Sequence, residues 1–198
     1  MIYIFLILIL LFSVIIHEVS HGYAAYALGD PTPKYEKRLT LNPINHLDPI
    51  GSILVPGVLI LIRVITGSGF IFGWAKPVRF NPNNLRDKKY GELKVAIAGP
   101  LSNICLALVF GLVLRLAPLG NSFTEILGLV VYINLLLAVF NLMPIPPLDG
   151  FHILSTFISE ERKAILTKYS LIFMLVFFFF LFPFITKIVD FLYFLIAG

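Results

Sequence analysis

Two histidines four residues apart, His17 and His21, are separated by Glu18, Val19 and Ser20. On a helix, that spacing puts both imidazoles on one face. They can then share one Zn²⁺, with the Glu18 carboxylate beside the metal as general base toward water. Residues 1–16, which lead into this motif, are apolar throughout except for Ser13. Ionisable side chains at bilayer depth are costly, so they mark candidate functional positions. A hydrolytic zinc site in that setting points to chemistry on other membrane proteins.

Composition sets the same frame. Of 198 residues, 59% are hydrophobic and 13% are charged, about half the charged fraction of a typical soluble domain. The expected protein is integral to the membrane, with residues 1–198 forming one domain. The first apolar stretch has no basic leader, and cleaving it would discard the zinc motif, so it reads as a span rather than a signal peptide. With Cys105 as the only cysteine, an intrachain disulfide and a thiolate zinc cluster are both excluded. The net charge of +4 fits a positive-inside bias, not nucleic-acid binding.

The elements that must position the motif follow from hydropathy and breakers. Residues 2–28 read as the first helix, stopped by Gly29, Asp30 and Pro31. Residues 50–66 are apolar but carry Pro56, Gly57 and Arg63. Residues 67–80 place glycines among Phe70, Ile71, Phe72 and Trp74, the pattern of a small hairpin-like loop. Two spans follow at 93–117 and 125–143, each near the ~20 residues that a bilayer needs. Residues 150–170 fit an interfacial helix. Residues 171–197 fit one kinked span or two short ones. The expected fold class is an all-α polytopic membrane protein with five to six embedded helices, a re-entrant segment and a β-hairpin-like loop.

A catalytic zinc normally takes three protein ligands. His46, Asp48, Asp149 and His152 are the candidates for the third. Asp149 follows Pro144, Pro146 and Pro147, which cannot sustain a helical ladder. Broken backbone at membrane depth is tolerated only inside protein or against water. A wet cavity there would favour Asp149 as ligand, and a plain helix-ending turn would leave it a surface residue. Topology favours the ligand. His17 and Asp149 each lie toward the far end of a span, so they meet only if both spans end on one face. That requires 50–66 to dip in and return, or to lie within the protein. Both basic loops then fall on one face, and the connection at 116–124 carries no basic residue. The zinc site is thereby expected on the cytoplasmic side, in the cell membrane if the host is prokaryotic.

These residues resemble a known family. His17-Glu18-Val-Ser-His21, Gly99-Pro100-Leu-Ser-Asn103 and Asn141-x-x-Pro144-x-Pro146-x-Leu148-Asp149-Gly150 are similar to motifs of the site-2 protease family of intramembrane zinc metalloproteases. Asn42-Pro43-x-x-His46-x-Asp48-Pro49-x-Gly51 and Gly73-Trp-Ala-Lys-Pro-Val78 resemble its compact prokaryotic branch, which has no PDZ insertion. The resemblance implies one Zn²⁺ per chain on His17, His21 and Asp149. It also implies water activation by Glu18, and Asn141 near the scissile carbonyl.

Further roles are open at this stage. Asn103 reads either as an oxyanion donor or as an interhelical hydrogen bond. His46 and Asp48 read as structural or as supports behind a ligand. Phe70, Ile71, Phe72 and Trp74 read as a loop that pairs with an extended substrate or as an interfacial anchor. The expected partners are single-span membrane-protein substrates and the lipid bilayer. Two other readings use the same residues: a zinc-binding transporter and a catalytically inactive scaffold. The transporter reading lacks the paired repeats such proteins often show, and the scaffold reading has no need of Glu18.

Overall fold

The computed structural model describes residues 2–67, 75–116 and 120–198. Helix α1 runs Ile2–Ala27, and α2 is a single turn at Thr32–Tyr35. A π-helical turn at Pro49–Leu54 leads directly into α3, Val55–Thr66. Helix α4 is Gly91–Leu116, α5 is Asn121–Asn141, α6 is Asp149–Ser155 and α7 is Glu160–Lys168. Helix α8, Ser170–Val176, continues through a π turn at Phe177–Leu181 into α9, Phe182–Ala197. Residues 170–197 are therefore one bent helical segment. Five segments are long and apolar enough to cross a bilayer: Phe5–Ala27, Pro49–Thr66, Gly91–Leu116, Ser122–Asn141 and Ser170–Ala197. The protein is a multi-pass integral membrane protein of all-α class.

Breakers and caps explain the boundaries. Helix α1 ends on Gly29 with φ 106°, a backbone region that suits glycine. The Asp30 N–H reaches the Ala25 carbonyl at 2.9 Å, and the Gly29 N–H reaches that of Tyr26 at 3.1 Å. This pairing is the Schellman closure. Three later turns open on an Asn or Asp followed by proline: Asn42-Pro43, Asp48-Pro49 and Asn81-Pro82. Each side chain accepts a hydrogen bond from a free N–H of the turn it caps, and each proline occupies a position that needs no donor.

Helices α1, α4, α5 and α9 form the bundle. Helices α1 and α4 run antiparallel: His21 lies against Val95 while Ser13 lies against Asn103. The core joins Ala107, Val131, Leu135, Phe177, Ile185 and Val189. Glycines allow close approach, Gly111 facing Ile196 and Gly128 facing Tyr193. Outward residues such as Phe12, Phe179 and Phe180 are exposed, as a lipid-facing surface requires.

Residues 49–66 form one continuous helix that stands off this bundle, with only 6% of it buried. Within it the chain does not turn back on itself. Among the described residues no strand is formed. Phe70, Ile71, Phe72 and Trp74, the core of the expected hairpin, lie outside the described residues.

The connections on either side of α3 are tied together. Asp30 is closed off from solvent. It accepts hydrogen bonds from the Thr32 N–H and hydroxyl, the Asn81 N–H and Asn84 Nδ2. The Arg86 N–H reaches the Leu28 carbonyl, and the Lys76 N–H that of His46, both at 2.8 Å. Burial pushes the Asp30 pKa up, but the bonds from Thr32, Asn84 and Asn81 outweigh it and hold the carboxyl below its ordinary 3.8. A lowered folded pKa stabilises the fold above the unfolded value, and that stabilisation is lost as pH falls through the folded value. We therefore expect Asp30→Ala to destabilise the protein by about 2–4 kcal/mol. Thermal unfolding in detergent should show the wild type losing stability below pH 4 more steeply than Asp30→Asn.

Candidate active site

Helix α1 carries His17 and His21 one turn apart, both buried. Helix α5 cannot continue past Asn141 because Pro144, Pro146 and Pro147 interrupt the ladder. The chain turns through residues 142–148 and restarts as α6 with Asp149 as its first residue. Gly150 presses against the backbone of Leu142 and Met143, where any Cβ would collide. One turn later His152 Nδ1 pairs with Glu92 Oε1 at 2.8 Å, fastening α6 to the start of α4. Asp149 is thereby held over α1.

Three donor atoms converge. His17 Nε2 and His21 Nε2 lie 3.1 Å apart, at 3.0 Å and 3.3 Å from Asp149 Oδ2. The ligand atoms of a tetrahedral zinc, at ~2.0–2.1 Å from the metal, stand about 3.3 Å from one another. The hydrogen bonds behind the rings fix which nitrogen carries a proton. His17 Nδ1 faces Asn103 Oδ1 at 2.6 Å, and His21 Nδ1 faces the Val95 carbonyl at 2.8 Å. Both partners accept, so both Nδ1 atoms donate and both Nε2 atoms present lone pairs to the centre. Asp149 Oδ2 is buried and has no hydrogen-bond partner. Two lone pairs and a carboxylate oxygen repel one another unless a cation lies between them, and the set fits Zn²⁺. Among the described residues, these three are the one set of His, Cys, Asp or Glu side chains able to share an ion.

Helix α4 closes the back of the site through Gly99. A Cβ there would come 2.6 Å from His17 Nε2 and would also overlap His21 Nε2. Pro100 follows and removes the N–H that would pair with the Ala96 carbonyl, next to the Val95 carbonyl that serves His21.

The remaining candidates divide. Glu18 is half-buried, and its Oε2 accepts the Val78 N–H at 2.7 Å. Residues 75–80 thus pass close beside it. Asn103 is fully buried and committed: its Nδ2 donates to Asn134 Oδ1 at 2.8 Å and to the Ser13 carbonyl at 3.3 Å. An oxyanion role for Asn103 has no hydrogen left over. Asn141 Nδ2 donates to Leu137 of its own helix at 2.9 Å. His46 is buried in the 40s loop with Nε2 on the Thr40 carbonyl, and Asp48 caps the turn that begins α3. Neither joins the triad. The sequence reading missed Ser13, Asn134 and the Val78 N–H. Its one available signal for the first two was a polar side chain inside an otherwise apolar span.

Comparison with known proteins agrees with this geometry. A model of Peptidase family M50 matches residues 115–184. YwhC of Bacillus subtilis is 37% identical over 173 residues, covering 83% of this chain and 74% of that protein. Rip2 of Mycolicibacterium smegmatis is 31% identical, covering 79% of this chain and 58% of the relative. The archaeal MJ0392 of Methanocaldococcus jannaschii is 29% identical, covering 79% of this chain and 35% of its own length. All three carry the words zinc metalloprotease in their names. No solved structure matches the chain significantly.

Because a methyl group at position 99 would occupy space between the ligands, Gly99→Ala should bind zinc at least tenfold more weakly than wild type. Zinc content after competition with a chelator measures this. Gly57→Ala, at a position with open space around it, should bind zinc like wild type.

Proposed function

The chain belongs to peptidase family M50, and from that premise we propose how its site works and on what. It is an intramembrane zinc metalloprotease acting on membrane proteins. The observation that carries this reading is the convergence of His17, His21 and Asp149 on one point inside a bundle of membrane helices.

Zinc bound there would lower the pKa of its water toward ~7 and polarise a carbonyl oxygen. The chain's own residues supply the rest. Glu18 is the general base. The Val78 N–H holds its Oε2, which leaves Oε1 to take the proton of the attacking water and deliver it to the leaving amine. Asn141 stands at the end of α5, eight residues before Asp149. One hydrogen of its Nδ2 is on Leu137, and the other is the donor we assign to the substrate backbone.

The substrates we infer are single-span proteins. A helix hides its peptide bonds and must be unwound before attack, in a medium without water to replace the broken hydrogen bonds. The segment from Phe70 to Trp74, together with residues 75–80, is the place we assign for pairing with the unwound strand. Cut sites should therefore carry Gly, Pro, Asn or Ser.

For topology, we propose that the chain enters the bilayer at Pro49 and is back on the same face by Lys76. The ties from Leu28, Asp30 and His46 to residues 76–86 support this. That face carries Lys34, Lys37, Arg38, Arg86, Lys88 and Lys89, so we place it in the cytoplasm and treat residues 1–198 as one domain.

Two experiments test this reading. Glu18→Gln should keep its zinc and lose at least a hundredfold in cleavage of a single-span reporter; turnover near wild type would remove Glu18 from its role. In a background with Cys105 replaced, cysteines at the exposed positions Lys37 and Lys88 should label from one face, and labelling from opposite faces would refute the topology.

A further inference from the structure

Behind His17 a line of buried amides runs through the bundle. Asn103 on α4, Asn134 on α5 and Ser13 on α1 are each at most 4% exposed. His17 Nδ1 meets Asn103 Oδ1 at 2.6 Å, and Asn103 Nδ2 donates to Asn134 Oδ1 at 2.8 Å. Asn134 Nδ2 donates in turn to the Val130 carbonyl at 2.8 Å and to Ser13 Oγ at 3.0 Å. Every bond in the line points the same way, away from the ligand cluster.

That direction has a cause. A primary amide can rotate end for end and exchange donor with acceptor. Asn103 alone could present either its oxygen or its NH₂ to His17. Asn134 removes the choice together with the Ser13 carbonyl: both accept from Asn103 Nδ2, Asn134 at 2.8 Å and Ser13 at a longer 3.3 Å, and so call the NH₂ of Asn103 away from His17. Asn134 is itself fixed by the Val130 carbonyl, a backbone acceptor that cannot reverse. The oxygen of Asn103 is therefore left for His17. His17 must then carry its proton on Nδ1 and keep the Nε2 lone pair for the metal. Reversing any one link would set two donors or two acceptors face to face at a depth where no water relieves the clash.

We propose that Asn134 is a positioning residue for zinc binding, acting through Asn103 to fix the proton and orientation of His17. The inference rests on zinc being held by His17, His21 and Asp149. Partners behind a metal ligand are typically worth 10–100-fold in affinity when removed.

The test measures zinc affinity by chelator competition on the purified full chain, together with the visible spectrum of the cobalt-substituted protein. If wild type binds no zinc, the site assignment itself fails, and the result is distinct from failure of this inference. Given wild-type binding, Asn134→Leu should weaken zinc at least tenfold and alter the cobalt bands. Asn134→Asp, as the neutral acid, keeps an acceptor for Asn103 and a donor for Val130, and should bind zinc more tightly than Asn134→Leu. Leu135→Ala, in the adjacent apolar core, should lower thermal stability while leaving zinc affinity within about threefold. If Asn134→Leu fails to fold, Asn134→Ser is expected to show the same tenfold loss, since its hydroxyl is too short to serve both Val130 and Asn103. Zinc affinity within twofold of wild type in the folded Leu or Ser variant would overturn the proposal. So would an equal loss in Leu135→Ala, which would make the effect one of packing.

Discussion

Three lone pairs, from His17 Nε2, His21 Nε2 and Asp149 Oδ2, are held within 3.3 Å of one another and away from solvent. That repulsion is the constraint to which the remaining structure answers. Unscreened, it would drive the groups apart or draw a proton between them. Acceptors behind both rings hold one proton of each on Nδ1, so each Nε2 lone pair faces the centre. The fold prevents separation by fastening the histidine pair and the aspartate from different helices. Helix α1 carries both histidines, the proline-broken end of α5 delivers Asp149, and the backbone of α4 at Gly99 closes the back. A divalent cation resolves the repulsion, and zinc matches the donor set.

The bilayer makes the supporting cast necessary. In water, a misplaced amide behind a ligand would be solvated at small cost. Among apolar helices, each buried polar group must find a partner inside the protein. The line from His17 through Asn103 to Asn134 meets that demand and ends on a backbone carbonyl. The same rule operates at the surface end of the bundle, where Asp30 gathers four donors from two loops. Those loops carry most of the basic residues, and Val78, which steadies Glu18, belongs to one of them.

Much of this was legible in the sequence because local chemistry announces itself. The spacing of His17 and His21, the apolar lead-in to them, and the prolines before Asp149 each carry a mechanism in a few residues. Asp149 needed a topological step, since nothing local separates a ligand from a turn residue. Asn103 was identified but with two open roles, and only its committed hydrogens decide between them. Ser13 stood out only as a polar exception and Asn134 not at all, because the meaning of a single polar residue in an apolar run lies in a partner on another helix. The turn-capping role of Asp48 shares its Asx-Pro signature with Asn42 and Asn81. Residues 49–66 carry breakers in their sequence yet form one continuous helix, since Pro49 sits at the first position of its turn, where no donor is missed.

The central claim is one zinc held by two imidazoles and a carboxylate at membrane depth. X-ray absorption at the zinc edge of the purified protein tests it most directly. The account predicts one zinc per chain with only nitrogen and oxygen neighbours at ~2.0–2.1 Å, two of them imidazoles. Sulfur scattering at ~2.3 Å, or a third imidazole from His46 or His152, would contradict it.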